Sequence, residues 1–391
     1  MTVWYVPIQP LEERYTEQWS RWIPESFMKR GLHFDTIWGS QLTEKIEKGS
    51  FLDVNGANYY TFDQLKQISK LFHEKKIKNG DQFFFGDIEF PGHAEAVKHM
   101  ATLQGINVEL YGFLHACTVT NEDLVQPLEP WQKFMELGWI SACDGVFVGT
   151  EYFRNKIIEK RIKTTAPKSD WNRLSNKIHV TGNPWNSKEA KNLVGISPTK
   201  VKRIIFPNRF DYEKRPNIFL DLCLILHDID PDIQFMITSS SDEMKSRHPW
   251  LLKLYKAIYK VMPANISSFY KLSKKMYYSI LAQSKVMFSS SIEETFGYCA
   301  LEAMTFGTSP ICPNNYSYPE VVMEEQYLYN NMDEAVEKCL KYIQKDNQTF
   351  FYQRQVPYFD KSINRMIDIM EGIEKEEGGI IMWPSCHTGC F

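Results

Sequence analysis

Short β-rich apolar runs alternate with amphipathic helical patterns along almost the whole chain, and this alternation constrains the fold more than any other feature. Such an order predicts a parallel sheet with helices packed on both of its faces. The first half therefore predicts one doubly wound α/β domain. Its strand candidates are Val3–Ile8, Phe34–Trp38, Gln82–Gly86, Val108–Tyr111, Gly145–Gly149 and Ile178–Thr181. The helical patterns lie near Glu17–Lys29, Phe62–Lys75, Ala94–Leu103, Pro130–Ala142 and Tyr152–Arg161.

A second alternation follows a polar stretch, 182–202, that predicts a linker. Its strand candidates are Arg203–Phe206, Ile233–Thr238, Ile266–Phe269, Lys285–Ser289 and Ser309–Cys312. Its helical patterns are Pro216–Leu226, Glu243–Lys260, Lys274–Ala282 and Phe296–Phe306, with a closing helical region over 332–374. The length of 391 residues suits two cores. We expect domains at 1–185 and 200–350 that face each other across a cleft, and a helix and tail at 351–391 that return to the first domain.

Composition excludes several classes of protein. With 45 basic and 48 acidic residues, the net charge of −3 gives no global polyelectrolyte signature. No apolar run approaches the length of a membrane span, and residues 1–7 are typical of a first strand rather than a signal peptide. The 8 scattered cysteines suit a reducing compartment. We therefore expect no membrane insertion and a cytoplasmic location, in the host cytoplasm if the protein is viral.

Two segments contain residue types that bind metals. Cys386, His387 and Cys390 are soft ligands near the C-terminus, but no partner motif accompanies them, and a bland tail is favoured. The Asp-x-Asp strings between residues 228 and 232 lie between a predicted helix and a predicted strand, where a solvated turn is favoured. We predict no metal site.

The segment from 289 to 302 carries most of the functional information. It places Glu294 and Glu302 on either side of a strand-to-helix turn that contains Gly297. Such a turn presents free backbone N–H groups and the positive end of a helix dipole, which suit a pyrophosphate. One carboxylate can accept hydrogen bonds from ribose hydroxyls and the other from a sugar hydroxyl. The pattern indicates a nucleotide sugar as ligand.

A second informative segment, 207–216, follows the first strand of the second domain. Arg209 and Lys214 lie in this loop and could reach one polyanion at the edge of the sheet. Arginine offers a planar fork to phosphate oxygens and lysine a compact charge. Two loop cations alone are commonly solvated, but their place in the same domain as Glu294 favours a phosphate site.

Taken together, these motifs resemble the donor site of retaining two-domain glycosyltransferases of the GT-B type, family 4. The resemblance is clear over residues 203–323. It includes the E-x7-E pattern of Glu294 and Glu302 with Phe296-Gly297 between them, and the continuation Pro319-Glu320-Val321-Val322. It implies a GT-B fold with two Rossmann-like domains and a nucleotide-sugar donor. We expect a UDP-sugar, with no metal or other cofactor required.

The resemblance also implies roles for individual residues on the donor side. Arg209 and Lys214 would hold the diphosphate and stabilise its departing charge. Glu302 would bind the ribose and Glu294 the transferred sugar. The backbone groups of a short run would line the pyrophosphate: Phe296, Gly297 and Tyr298.

The first domain is expected to supply the acceptor side. His115 follows a predicted strand, like the sugar-contacting histidine of the family, although a core role is equally open. Asp87 also ends a buried strand, where a carboxylate is either a helix cap or a cleft residue. His93 follows shortly afterwards and is a further acceptor-side candidate. The loop 9–16 lacks the glycines that many family members have there, so no phosphate role is assigned to it; Arg14 and Thr16 are alternative ligand contacts.

The opening residues 4–16 resemble those of phage-encoded glycosyltransferases, some of which place sugars on hydroxymethylated pyrimidines in viral DNA. We therefore predict a hydroxymethylated pyrimidine in double-stranded phage DNA as acceptor. A basic stretch over 154–177 could track a phosphate backbone, although a solvated surface would have the same composition.

Alternatives remain on the sequence alone. The acceptor could be a cell-surface glycan or a small molecule. The chain could also be a nucleotide-sugar-binding protein that has lost catalysis, or a sugar-nucleotide epimerase on the same fold. The sequence does not specify the oligomeric state.

Overall fold

The computed structural model describes residues 1–42, 54–90, 92–123, 125–196, 198–238, 243–345 and 355–373. These residues form two parallel sheets of six strands each, together with the helices that pack on them. Cys386, His387 and Cys390 lie outside the described residues, so their predicted role stays untested. None of the described helices is both long enough and apolar enough to cross a bilayer.

The first sheet has the order β2-β1-β3-β4-β5-β6. Its central strand β3 is buried along its whole length, with Phe84 on one face and Phe83 and Phe85 in a second cluster on the other. The strands are β1 (Val3–Val6), β2 (Phe34–Thr36), β3 (Gln82–Phe85), β4 (Glu109–Phe113), β5 (Gly145–Val148) and β6 (Ile178–Val180). The helices are α1 (Tyr15–Lys29), α2 (Val54–His73), α3 (Ala94–Gln104), α4 (Glu129–Ala142), α5 (Glu151–Ile157), α6 (Lys163–Thr165) and α7 (Trp171–Ser175).

The second sheet has the order β12-β11-β10-β7-β8-β9. The chain runs outward from β7 to β9 and then crosses back, so the strand order reverses between β7 and β10 and a ligand crevice is expected at that point. The strands are β7 (Val201–Phe206), β8 (Gln234–Thr238), β9 (Ile266–Phe269), β10 (Ser284–Phe288), β11 (Ser309–Pro313) and β12 (Leu328–Tyr329). The helices are α8 (Ser187–Val194), α9 (Pro216–Ile229), α10 (Pro249–Val261), α11 (Lys274–Gln283), α12 (Tyr298–Thr305), α13 (Tyr318–Val322) and α14 (Met332–Ile343).

The last described helices are α15 (Gln355–Phe359) and α16 (Ser362–Met370). Helix α16 packs against α1 and β5 of the first domain. Its Asp368 carboxylate lies 2.8 Å from the Arg30 guanidinium at the end of α1. The chain thus crosses from the second sheet back to the first before residue 373.

The predicted α/β class with two facing doubly wound domains is confirmed, whereas several element boundaries were wrong. The stretch 182–202 is not a plain linker, because α8 lies within it. The helix predicted from Glu243 begins at Pro249, since a proline disfavours helical backbone in the residue before it and His248 is extended. Strand β12 is only two residues long and was missed.

Candidate active site

The turn between β10 and α12 brings a carboxylate and an ammonium group together. We call residues 289–297 the carboxylate loop. The Nζ atom of Lys214 donates to the Glu294 carboxylate over 2.9 Å, and both side chains are mostly buried. Burial opposes the charge on Lys214, but the charges of Glu294 and Glu213 outweigh it and raise the Lys214 pKa. The lysine is therefore fully charged at neutral pH.

Gly297 allows the carboxylate loop to turn into α12. Its φ of +95° lies in the left-handed region, where side chains other than hydrogen are strained. A Cβ atom there would also come within 3.3 Å of the Tyr318 ring. The Ala300 amide already bonds to the Gly297 carbonyl at 3.0 Å, so the amides that an anion could recruit at this helix N-terminus are those of the residues before it.

Arg209 lies on the same side of the cleft as Lys214 and Glu294, in the loop after β7. Its guanidinium pairs with Glu213, a residue of the one-turn 3-10 helix that also contains Lys214. The side chain is about half exposed, at 49%. The two predicted cations therefore project from one short loop, and each is matched by an acid before any ligand arrives.

Glu302 lies within α12 and is almost completely buried, at 4% exposure. Its carboxylate accepts hydrogen bonds from Tyr277 Oη at 2.8 Å, Lys274 Nζ at 3.1 Å and Tyr278 Oη at 3.3 Å. These three residues occupy positions i, i+3 and i+4 of α11, which place them on one face of the helix. Sequence reasoning missed them, although this spacing was a detectable signal.

The predicted pyrophosphate segment has its side chains turned into the protein. Phe296 is buried and packs on the ring of Phe359. Tyr298 receives a hydrogen bond from Trp19 Nε1 at 2.9 Å and donates one to the Pro184 carbonyl at 2.9 Å. The side chains of this segment are thus committed to packing, and the pyrophosphate role of its backbone groups stays a prediction.

His115 lies at the end of β4 among the rings of Tyr15, Trp19 and Phe113. Its Nε2 atom lies 2.9 Å from the carbonyl oxygen of Gly86, which places the ring proton on this nitrogen. Burial lowers the His115 pKa to about 4. The imidazole is therefore neutral at physiological pH, with Nδ1 as a hydrogen-bond acceptor.

Acidic side chains of the first domain gather near the same cleft. Asp87 follows β3 and accepts a hydrogen bond from the Glu89 amide at 2.9 Å, so it closes a local turn rather than capping a helix. Burial raises the Asp87 pKa to about 7. Burial and the neighbouring charges of Asp87 and Asp123 raise the Glu89 pKa well above its ordinary value. The sequence analysis missed Glu89 and Asp123.

Charge interactions connect this acidic group to the opposite wall. Burial raises the pKa of Asp123, while the charges of Arg209 and Lys214 lower it in part. Burial and the charge of Arg209 lower the pKa of Arg14, which lies in the loop after β1. The two walls are thus close enough for their side chains to interact across the cleft. We call the group Asp87, Glu89 and Asp123 the acidic wall.

His93 begins α3 and differs from the other candidates. It is buried at 3% exposure and stacks on the Phe85 ring. Burial lowers the His93 pKa to about 4. The structure thus places His93 against the core of the first domain, away from the charged cleft side chains.

The loop after β1 docks on the second domain without a glycine. Glu13 itself adopts a positive φ of +63°, and its carboxylate accepts a hydrogen bond from the Lys274 amide at the start of α11. Thr16 Oγ1 accepts from the Leu11 amide at 3.2 Å, so this hydroxyl stabilises the loop. Where many family members have glycines, this loop contains Glu13 in a left-handed backbone conformation that is strained for residues other than glycine.

Part of the basic stretch 154–177 makes structural contacts, whereas Lys160, Lys163, Lys168 and Arg173 are exposed. Arg161 is buried in an ion pair with Glu136. Lys156 pairs with Glu293, and Lys177 Nζ donates to the Ser141 carbonyl at 2.8 Å. Arg161 is therefore unavailable to a phosphate backbone, and both uses that the sequence left open for the stretch as a whole stay untested.

Among the described ranges, no group of three or more His, Cys, Asp or Glu side chains has the arrangement of a metal site. Within the Asp-x-Asp strings, Asp230 pairs with Lys202 at 2.5 Å, as a solvated turn residue would.

Comparisons with known proteins agree with this arrangement. Residues 187–357 match the family model described as glycosyl transferases group 1. A 143-residue region is 26% identical to a tRNA-queuosine alpha-mannosyltransferase of Drosophila melanogaster; the match covers 37% of this chain and only 36% of that protein.

Solved structures match over more of the chain. A trehalose-6-phosphate synthase, OtsA, has a TM-score of 0.64 at 11% identity, with 96% of this chain and 100% of that chain covered. The sucrose-phosphate synthase of Thermosynechococcus elongatus has a TM-score of 0.58 at 10% identity, covering 95% and 94%. S. aureus TarM, solved with UDP, has a TM-score of 0.55 at 15% identity, covering 80% of this chain and 59% of that one.

Such low identities establish the fold rather than the substrate. The chain has the GT-B fold, and the match of its second half to group 1 supports a glycosyltransferase of that fold.

Proposed function

We propose that the protein transfers a sugar from a nucleotide-sugar donor, expected to be a UDP-sugar, to an acceptor hydroxyl with retention of configuration. The observation that carries the proposal is the contact of Lys214 with Glu294, with Glu302 in the helix that follows Glu294 and Arg209 on the same loop as Lys214. This wall offers two cations for a diphosphate and two carboxylates for hydroxyl groups. The named complex of TarM with UDP supports a donor of this class.

In the proposed reaction, the bond between the sugar C1 and the β-phosphate oxygen breaks. The acceptor hydroxyl attacks C1 from the same face, and its proton passes to the departing phosphate oxygen. Arg209 and Lys214 stabilise the charge that develops there, together with the amides at the start of α12. No nucleophile from the protein is required.

The remaining residues would orient the donor. Glu302 would bind the ribose hydroxyls, and Glu294 would hold a hydroxyl of the transferred sugar. His115, neutral with Nδ1 available as an acceptor, would receive a further sugar hydroxyl. Asp87 is proposed on the acceptor side, whereas the predicted role of His93 is not carried forward, because its ring packs against Phe85 in the core.

For the acceptor, we propose a hydroxylated base of a nucleic acid, in the first instance a hydroxymethylated pyrimidine of phage DNA. The resemblance of residues 4–16 to phage enzymes supports this choice. The similarity to a tRNA-queuosine alpha-mannosyltransferase favours a second candidate, a hydroxylated base of tRNA. In both cases the base would have to leave its stack to enter the cleft.

The test is to incubate the protein with a panel of nucleotide sugars and either hydroxymethylated DNA, unmodified DNA or tRNA. The nucleic acid is then digested and its nucleosides are weighed. A mass gain of one sugar on hydroxymethylated DNA alone supports the first acceptor, and a gain on tRNA alone supports the second. No gain with any pair would refute a nucleic-acid acceptor.

A binding protein without catalysis is distinguished by donor hydrolysis. We expect slow hydrolysis of the correct donor by the wild type, lost in Glu294→Ala. A protein that binds the nucleotide and never hydrolyses or transfers would contradict the enzymatic proposal. Release of an epimerised sugar nucleotide without acceptor would instead indicate an epimerase.

A further inference from the structure

The carboxylate loop is attached to the first domain as well as to its own. Glu293, next to Glu294, is 3% exposed and pairs with Lys156 of α5. Its Oε1 accepts a hydrogen bond from Tyr152 Oη at 2.7 Å, and its Oε2 receives the Asn121 amide at 3.4 Å. A largely buried ion pair thus joins the two domains directly beside the proposed sugar-binding carboxylate.

The residue on the other side of Glu294 is fixed in the same way. Thr295 Oγ1 donates to the His115 carbonyl at 3.1 Å. The Thr295 carbonyl accepts from Thr150 Oγ1 at 2.8 Å. Both neighbours of Glu294 are therefore anchored on the first domain, and Glu294 itself bonds to Lys214 of the second.

A third contact holds α5 itself. The Glu320 carboxylate of α13 accepts the backbone amides of Glu151 and Tyr152 at 2.7 and 2.6 Å. These amides open α5, and a carboxylate is favourable at a helix N-terminus. The helix that carries Lys156 and Tyr152 is thereby docked on the second domain.

These contacts have a consequence for the proposed reaction. Without donor, Lys214 holds Glu294 in place. A diphosphate would compete for the Lys214 charge, and the carboxylate loop would then need another restraint at the moment when Glu294 has to meet the sugar. Small errors in the position of such a group reduce turnover strongly.

We infer that Glu293 and Lys156 are positioning residues, which fix Glu294 from the first domain so that donor alignment requires the two domains to be closed. This inference rests on the proposed sugar transfer. The pair need not touch substrate. Its effect should therefore appear in turnover, with little change in the affinity for the nucleotide part of the donor.

The test compares variants of the pair in the full-length protein. In Lys156→Met and Glu293→Gln, we expect kcat to fall on the order of 100-fold while the Kd for UDP stays within about twofold. Tyr152→Phe removes one hydrogen bond and should have a smaller effect in the same direction. The reversed pair Lys156→Glu with Glu293→Lys should recover part of the lost kcat. Lys163→Met is the matched control, because Lys163 pairs with Glu159 on the exposed surface nearby.

A second measurement does not depend on turnover. Amide hydrogen exchange in residues 292–297 should be faster in Lys156→Met than in the wild type or Lys163→Met, with no ligand present. Unchanged exchange would overturn the inference, as would wild-type kcat in Lys156→Met or a loss of UDP affinity as large as the loss of kcat. If the wild type transfers no sugar, the proposed function fails, and the exchange result still decides whether the pair restrains the carboxylate loop.

Discussion

The cleft wall formed by the second domain contains ion pairs, whereas the wall formed by the first domain contains a cluster of carboxyl groups without such pairing among themselves. Lys214 with Glu294 and Arg209 with Glu213 leave the second domain ionised but locally balanced. Burial raises the pKa values of Asp87 and Glu89 on the other wall. The wall of the second domain therefore offers charged side chains to a diphosphate. On the wall of the first domain, the raised pKa values favour uncharged carboxyl groups where an acceptor would bind.

The largest effect should come from breaking the charged wall at Lys214. Lys214→Met removes the cation that would stabilise the departing diphosphate and leaves Glu294 without its partner. We expect kcat to fall about 1,000-fold, the order found when a preorganised charge-stabilising group is lost. Lys202→Met, at an ion pair with Asp230, is the control and should be nearly silent. Steady-state kinetics measure both variants, and an unchanged kcat in Lys214→Met would contradict a role in stabilising the departing diphosphate.

A smaller effect is expected at the ribose position. Glu302→Gln keeps the side-chain shape and weakens a charge-assisted acceptor, so the donor KM should rise roughly 10-fold to 100-fold. The exposed Glu337→Gln serves as the control for the charge change. An unaltered donor KM in Glu302→Gln would mean that the donor ribose binds elsewhere.

The acidic wall predicts a stability effect with a definite sign. Because burial raises the Asp87 pKa to about 7, the folded protein keeps a proton that the unfolded chain loses near pH 4. Stability should therefore fall as the pH rises from about 4 to 7. Asp87→Asn removes this penalty, so its gain in unfolding free energy should be absent near pH 4 and reach about 4 kcal/mol at pH 8. Calorimetric melting at both pH values checks it; a pH-independent difference would contradict the shifted pKa.

The smallest effect concerns the backbone beside Lys214. Arg215 has a φ of +46°, which a glycine adopts without strain. Arg215→Gly should raise the unfolding free energy by about 1 kcal/mol. Arg173→Gly, inside a helix, should lower it by about the same amount. Urea unfolding curves measure both, and a destabilised Arg215→Gly would show that the arginine side chain has a compensating contact.

The sequence analysis named more of the residues that gather on the second domain's wall than of those on the first domain's wall, for a physical reason. Glu294, Gly297 and Glu302 lie within one strand-turn-helix unit, so their spacing determines their geometry locally. Glu89 and Asp123 lie on separate loops and meet only after β3, β4 and the crossover helices have packed. The periodicity of a single sequence gives no information on such contacts between distant loops.

The contacts between the two domains could not be predicted from the sequence either. Lys156 was counted as part of a basic stretch, yet the structure pairs it with Glu293 of the other domain. The helix α8 was missed for a different reason, because its polar composition and flanking Pro184 and Gly195 are typical of a linker. Domain bounds at 185, 200 and 350 stay predictions.

The central claim is that the groups on the second domain's wall bind one nucleoside diphosphate. Titration calorimetry with UDP, GDP and ADP tests it most directly, on the wild type and on the double variant Arg209→Ala with Lys214→Ala. We predict that the wild type binds one of these nucleotides, with UDP expected, and that the double variant binds it at least 100-fold more weakly, as the loss of two charge-assisted contacts would require. Equal affinity in both proteins, or no binding of any nucleotide by the wild type, would contradict the account.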